Sequence, residues 1–381
     1  MGKKAWAVIA VVILVVGVVA MKMVTPGQQS SVIKLGVILP LTGPGAPYGV
    51  QVMDGVSLAL KQAASQGLIK PSEVKLIVED DRTDVAQGVN AINKLRTADG
   101  VKIIIGALAS SVTLACAPIA EQYHILLLSP GSSSDEISNA GDYIFRIAPT
   151  DSYDGKFLAK AMFDSYGIKT VSALYLNNDF GSGLMKSFLT SFEAVGGKVV
   201  ASQSYAMGAT DFRTQLTQLK SAKADAFLLI AAGNENVIAL KQMKELGFVS
   251  KIFAPSTFND PKLAKAAGDT AEGLIFSAAS LEGISQQDNV KQFLAAFEKE
   301  YPDKKPSTFT AYGYDAFMIL LKTIKPSGYD PTKVKDALYK MPPFYGASGK
   351  TEFDSKGDAQ KELTLFRINN GEITPLMTTK Q

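Results

Sequence analysis

The sequence of 381 residues contains one cysteine, one histidine and one tryptophan. A single cysteine excludes a disulfide within the chain, and one histidine beside it leaves too few ligands for a structural metal site or thiol chemistry. Net charge is also missing from the body. The formal charge of +3 comes from Lys3, Lys4 and Lys22, so residues 32–381 hold as many basic as acidic side chains. A neutral body gives no electrostatic footing for nucleic acid or an anionic membrane. What is present is ordinary globular usage, 46% hydrophobic and 20% charged, which excludes disorder and collagen. The length suggests two domains.

The first 31 residues contain no acid. Lys3-Lys4 precede an unbroken apolar run over residues 5–21, the pattern of a secretory signal. The run spans roughly 25 Å as a helix, short of a hydrocarbon core of about 30 Å, which favours a cleaved signal over a retained anchor. Val18-Val19-Ala20 offers small residues for cleavage, and no cysteine follows to accept a lipid. Either way the body is expected outside the cytoplasm. Residues 25–31 (TPGQQSS) read as a polar tether.

The body alternates apolar, β-branched runs with helical periodicity. Strands are expected at 32–39, 74–78, 101–105 and 125–128, with helices at 51–66, 85–98 and 112–122 between them. After Pro149-Thr150-Asp151 the alternation restarts, with helices at 155–165, 183–194, 212–221 and 235–246. The matching strands are 171–176, 198–202, 226–230 and 251–254. Such alternation implies βαβ units and parallel sheets in two α/β lobes.

In open parallel sheets, ligands bind beyond the carboxyl ends of the strands. Two consecutive strand ends here carry hydroxyl runs, Ala109-Ser110-Ser111 and Ser129 to Ser134, each opening a helical turn. Serine favours N-cap positions in any case, so Ser110 and Ser132 can each be read as plain caps. Two such runs side by side point further, to helix N-termini and hydroxyl donors that would hold a small anion, most simply a carboxylate.

Other motifs fail on stated grounds. Gly43-Pro44-Gly45-Ala46-Pro47-Tyr48-Gly49 has the wrong glycine spacing for a dinucleotide loop, and its prolines lack the N–H groups that cradle a pyrophosphate. Asp80 and Asp81 stand too far along to be a ribose-binding acid. Gly349-Lys350-Thr351 has Phe344 where a phosphate loop needs glycine. His124 is expected to begin a buried strand as a packed residue, and Cys116 to be inert core. No nucleophile–base pair emerges, so no enzyme, cofactor or metal is expected.

Taken in order, IKLGVILPLTGPGAPYG (33–49), LIVEDD (76–81), IIGALASSVT (104–113), LSPGSS (128–133), YIFRIAPTD (143–151), NNDFGSG (177–183) and AYGYDA (311–316) resemble extracytoplasmic solute-binding proteins of the leucine/isoleucine/valine type. The resemblance covers residues 32–381. It implies a type I periplasmic-binding fold: two Rossmann-like lobes with parallel sheets, joined by a three-crossover hinge that closes on ligand. By that resemblance the first lobe is 32–150 with 279–348, and the second is 151–278 with 349–381. It implies that Ser110 and Ser133 hold a ligand carboxylate, with backbone help at Ser132. Tyr48 supplies the first-lobe ring, Phe180 caps from the second lobe where the family usually has tyrosine, and Asp151 lines the cleft.

The departures bear on ligand chemistry. The family's acid that pairs a ligand ammonium falls at Ser256, a second-lobe aromatic falls at Ala232, and the cysteines of a frequent disulfide fall at Thr83 and Ala109. Asp151, Glu235 and Asp260 are the acids that could substitute for the missing charge. The resemblance implies a monomeric receptor that passes a branched-chain or other neutral amino acid to the membrane permease of an ABC importer. A receptor for a non-amino carboxylate or amide, or the ligand-sensing subunit of a signalling system, stands beside that reading.

Overall fold

Short runs that are buried along their whole length, such as Ile103–Ile105 and Leu126–Ser129, need cover on both faces, and a parallel sheet with crossover helices supplies it. The computed structural model describes residues 32–279 and 281–376; the expected signal or anchor, residues 1–31, lies outside them. The first sheet is parallel throughout, in the order β2-β1-β3-β4-β5. Its strands are β1 (Ile33–Leu39), β2 (Val74–Asp80), β3 (Ile103–Ile105), β4 (Leu126–Ser129) and β5 (Ile144–Arg146). Helices α1 (Ala46–Ser65), α2 (Val85–Thr97) and α3 (Ser110–Tyr123) make the crossovers.

After α4 (Asp151–Lys160), a second sheet forms from β6 (Thr170–Leu176), β7 (Lys198–Tyr205), β8 (Ala226–Ile230), β9 (Lys251–Ala254) and β10 (Ile275–Ala278). These are parallel, and α5 (Asp179–Ala194), α6 (Arg213–Ser221), α7 (Asn234–Glu245) and α8 (Pro261–Ala267) lie between them. The chain then passes through α9 (Leu281–Ile284), α10 (Asp288–Glu300), α11 (Thr308–Ser327) and α12 (Pro331–Tyr339). A small hairpin follows, β11 (Phe344–Gly346) with β12 (Gly349–Thr351). Finally β13 (Thr364–Asn369) and β14 (Glu372–Pro375) add antiparallel strands to the second sheet, whose order is β14-β13-β10-β9-β8-β6-β7. The protein is therefore α/β with two lobes.

The chain's return to the first lobe is secured by close helix packing. On α1, a Cβ at Gly55 would stand 1.9 Å from the Thr310 carbonyl oxygen. On α11, one at Gly313 would stand 2.1 Å from that of Val52. Glycine lets these backbones touch.

Several element boundaries differ from the sequence reading. β3 starts at Ile103 rather than 101 because the Val101 N–H closes the turn after α2, donating to the Leu95 carbonyl. The Ile125 N–H does the same for α3, donating to Ala120. The helix expected at 155–165 begins at Asp151, capped by the Thr150 side chain. His124 is exposed rather than packed: it adopts φ 50° to end α3, and its ring stacks on Tyr143 at 5.0 Å. Cys116 is buried, and burial pushes its thiol up to about 12.

Residues 357–359 lie against β5. The Arg146 N–H donates to the Gly357 carbonyl, and the Ala359 N–H donates to that of Arg146. Arg146 Nε reaches Asp358 Oδ1 at 2.7 Å, with Arg146 fully buried. The chain thus stays against β5 until about residue 359, because a buried guanidinium needs its carboxylate there.

Candidate functional site

A cavity of about 110 Å³ lies where the carboxyl ends of the two sheets face each other. The engineered apolar cavity known to admit benzene is of comparable size, ~150 Å³. From the first lobe come Tyr48 on α1, Leu108 to Ser110 after β3, Gly131 and Ser133 after β4, and Phe309 and Tyr312 on α11. Ala148, Pro149, Asp151 and Asp154 line it at the first crossover. From the second lobe come Leu176, Asn178 and Phe180 after β6, Met207 after β7, Ala232 and Glu235 after β8, and Ser256 and Thr257 after β9.

Of the seven sequence-selected residues, Tyr48, Ser110, Ser133, Asp151, Phe180 and Ser256 line this cavity. Ser132 does not. Its hydroxyl turns into the core, 2.7 Å from Thr113 Oγ1 and 3.0 Å from the Leu108 carbonyl, and its N–H donates to Ser129 Oγ. Neighbouring loop residues point opposite ways, so a run of serines cannot all face one cavity. Neither Ser110 nor Ser132 is an N-cap: Ala109 holds that position for α3, without a side-chain cap bond, and Ser134 caps the next helical turn.

Ser110 Oγ accepts the N–H groups of Ser133 and Ser134 at 3.1 and 3.2 Å. Those amides are therefore engaged, and the Ser110 hydroxyl proton is the donor left over at the start of α3. The uncapped first turn of that helix adds unpaired N–H groups and the positive end of its dipole. This corner can accept an anion.

The lobes also bond directly across the cleft. Tyr48 donates its hydroxyl to the Thr257 carbonyl at 2.8 Å and accepts the Gly233 N–H at 2.7 Å. Burial raises its pKa, so it stays a donor. Gln51 Nε2 donates to Asp260 Oδ2 at 2.7 Å, and Asn259 Nδ2 to Thr308 Oγ1 at 2.7 Å.

With this geometry in place, the comparisons with known proteins decide the family. A family model described as periplasmic binding protein matches residues 32–372. The chain belongs to the periplasmic binding proteins. It is 29% identical over 343 residues to the leucine-, isoleucine-, valine-, threonine- and alanine-binding protein of Pseudomonas aeruginosa, covering 89% of this chain and 90% of that one. The branched-chain amino acid transporter substrate-binding protein of Streptococcus pneumoniae, solved with isoleucine, superposes with a TM-score of 0.84 at 26% identity. That match covers 90% of this chain and 98% of that one. A solute-binding protein from R. palustris, solved with benzoate, superposes at 0.83 with 22% identity over 91% and 96%, a likeness of fold. As a member of this family the chain is a binding protein and not an enzyme.

In this periplasmic binding protein the cleft is acidic. Asp151, Asp154 and Glu235 line it, and no lysine, arginine or histidine does. Asp151 is 1% exposed, and its Oδ2 has no hydrogen-bond partner. Burial raises its pKa well above the carboxylate range, against the pull of the Ser133 hydroxyl beside it. Asp154 accepts a hydrogen bond from the Ser277 hydroxyl, and burial pushes it up to about 7. Asp260 is not in the lining; its oxygens take Gln51 and the Lys262 N–H. Thr83 and Ala109 both line the first-lobe rim, where the Thr83 hydroxyl accepts the Gly45 N–H at 2.9 Å.

Sequence reasoning missed Asp154, Met207, Thr257, Phe309 and Tyr312. The motif at 311–316 contained Tyr312, but nothing local to it indicates that α11 crosses beneath the cleft. Among the described residues, no helix is long and apolar enough to cross a membrane.

Proposed function

We propose that this protein is the extracytoplasmic receptor of an ABC importer and binds a small, largely apolar carboxylate-bearing solute, a branched-chain or other neutral amino acid, between its lobes. The observation that carries this is the cavity itself: a donor corner at Ser110 and Ser133, closed in by Tyr48, Phe180, Phe309, Tyr312, Leu108 and Met207. Its size suits one short side chain. The relatives from P. aeruginosa and S. pneumoniae, whose names specify branched-chain amino acids, support the same solute class. A membrane permease is the partner on this reading, the protein acts as a monomer, and residues 1–31 direct it out of the cytoplasm. The lobes divide at the first crossover, and ligand favours the closed state. Ser256 supports a second reading, a carboxylate without an ammonium, because a serine side chain offers an ammonium no counter-charge at that position.

A thermal-shift screen of the purified protein against amino acids, their deaminated analogues and aromatic acids tests this. Ligand at 100 times Kd should add about 2.7 kcal/mol. If no carboxylate shifts the transition, the proposed solute class is wrong.

A further inference from the structure

We propose that Glu235 supplies the counter-charge that position 256 lacks, so that the cleft selects a solute bearing a cationic amino group over its deaminated analogue. The inference rests on the solute-binding reading above and names the residue that decides between its two ligand classes.

Two observations place Glu235 at the right spot. It lines the cavity while 5% exposed, and its Oε1 is fixed by the Gly208 N–H at 2.9 Å. The Tyr48 hydroxyl bonds both Gly233 and Thr257, and Thr257 Oγ1 donates to the Ala231 carbonyl at 2.6 Å. One hydroxyl therefore spans the loop that leads into Glu235 and the turn that holds Ser256. A charge moved from the second of these loops to the first stays on the same wall of the cavity.

Charge balance points the same way. A carboxylate solute entering a cleft that holds the Glu235 carboxyl and no basic side chain finds no counter-charge on the walls, so a solute with a cation of its own fits better. Asp154 is already bonded by Ser277, and Asp260 lies outside the lining. Asp151 stands beside Ser133, at the end of the cleft assigned to the carboxylate. Glu235 is the acid on the second-lobe wall, where the departure at Ser256 removed one.

Calorimetry on the full-length protein uses L-leucine, L-isoleucine and L-valine, each paired with its deaminated analogue, 4-methylpentanoate, 3-methylpentanoate and 3-methylbutanoate. Glu235→Gln keeps the side chain's shape and its bond to Gly208. It should weaken the amino acids about 10- to 150-fold and leave the analogues unchanged or tighter. Adding Ser256→Glu to that variant should restore amino-acid binding, a rescue that a merely structural Glu235 would not show. Equal losses for amino acid and analogue would overturn the inference, as would a loss confined to Asp151→Asn. If the wild type binds the analogues but not the amino acids, the inference falls and the carboxylate reading stands. If it binds neither, both fall.

Discussion

The two walls of the cleft are built differently. The first-lobe wall is a stitched backbone surface: the loops after β3 and β4 are tied by Ser110, Ser129, Ser132 and Thr113, and little of the hydroxyl network is left over for a solute. The second-lobe wall is made of side chains from four separate strand ends, with Phe180, Met207, Ala232, Glu235 and Ser256 side by side. Of the departures noted in the sequence, the missing cysteine pair at Thr83 and Ala109 falls on the first-lobe rim, and those at Ala232 and Ser256, the ones that bear on ligand charge and shape, fall on the side-chain wall. A backbone-built corner can hold a group common to every ligand, whereas isolated side chains can change one at a time and so set selectivity.

The largest effect is expected where the walls meet. Asp154 has a folded-state pKa of about 7 against an ordinary 3.8, so the folded protein binds a proton that the unfolded chain releases. This stability is present in full below about pH 4, erodes as pH rises through 7 and is lost above it, by on the order of 4 kcal/mol. Asp151 shifts in the same direction. Asp154→Asn should flatten the slope between pH 4 and 7 in urea titrations, whichever solute is bound. A variant with the wild-type slope would locate the titrating group elsewhere.

Next come the hydroxyls of the stitched wall. Ser110→Ala removes the free donor and leaves the buried Ser134 N–H and the half-buried Ser133 N–H unpaired, so every carboxylate solute should bind about 10- to 150-fold more weakly. Ser133→Ala should cost less, about 2- to 12-fold, because its hydroxyl lies beside Asp151. Calorimetry with leucine and 4-methylpentanoate checks both. A loss at Ser110 for only one of the pair would break the contrast between the walls.

On the side-chain wall, Phe180→Ala should weaken leucine about 10-fold and alanine far less, since the lost contact is with the solute's apolar end. Equal losses would mean that Phe180 acts on the shared end. The smallest effect is expected at the bridge between the walls. Tyr48→Phe deletes two interlobe hydrogen bonds, each of which nets about 1 kcal/mol before solvent takes their place. Affinity should fall about 5-fold, and small-angle scattering should show a larger radius without solute than in the wild type. An unchanged radius would show that Tyr48 does not hold the lobes together.

The legible parts of the fold were those written in local pattern. Runs such as residues 226–230 declare a buried strand by being apolar throughout, and the restart of alternation after Asp151 marks the second lobe. β5, at three residues, carries too little periodicity to be legible. α10 to α12 are less legible, because the packing that places them, α11 on α1 and α12 on α11 and β4, joins residues far apart in the chain. At the site, Ser110 and Ser133 were legible because hydroxyl runs at consecutive strand ends must lie together in a parallel sheet. The direction of the Ser132 hydroxyl was not legible, because a loop side chain turns toward its partners, here Thr113 and the Leu108 carbonyl.

Residue type and spacing along the chain are enough for the two α/β lobes and for the position of the donor loops at consecutive strand ends. Tertiary contacts put Asp260 outside the cleft lining and Glu235 in it, carry Tyr48 across to Gly233 and Thr257, and hold residues 357–359 against Arg146. Those outcomes depend on contacts between residues far apart in the chain. No local pattern encodes such distances; they are set when buried charges and hydroxyls find partners as the core closes.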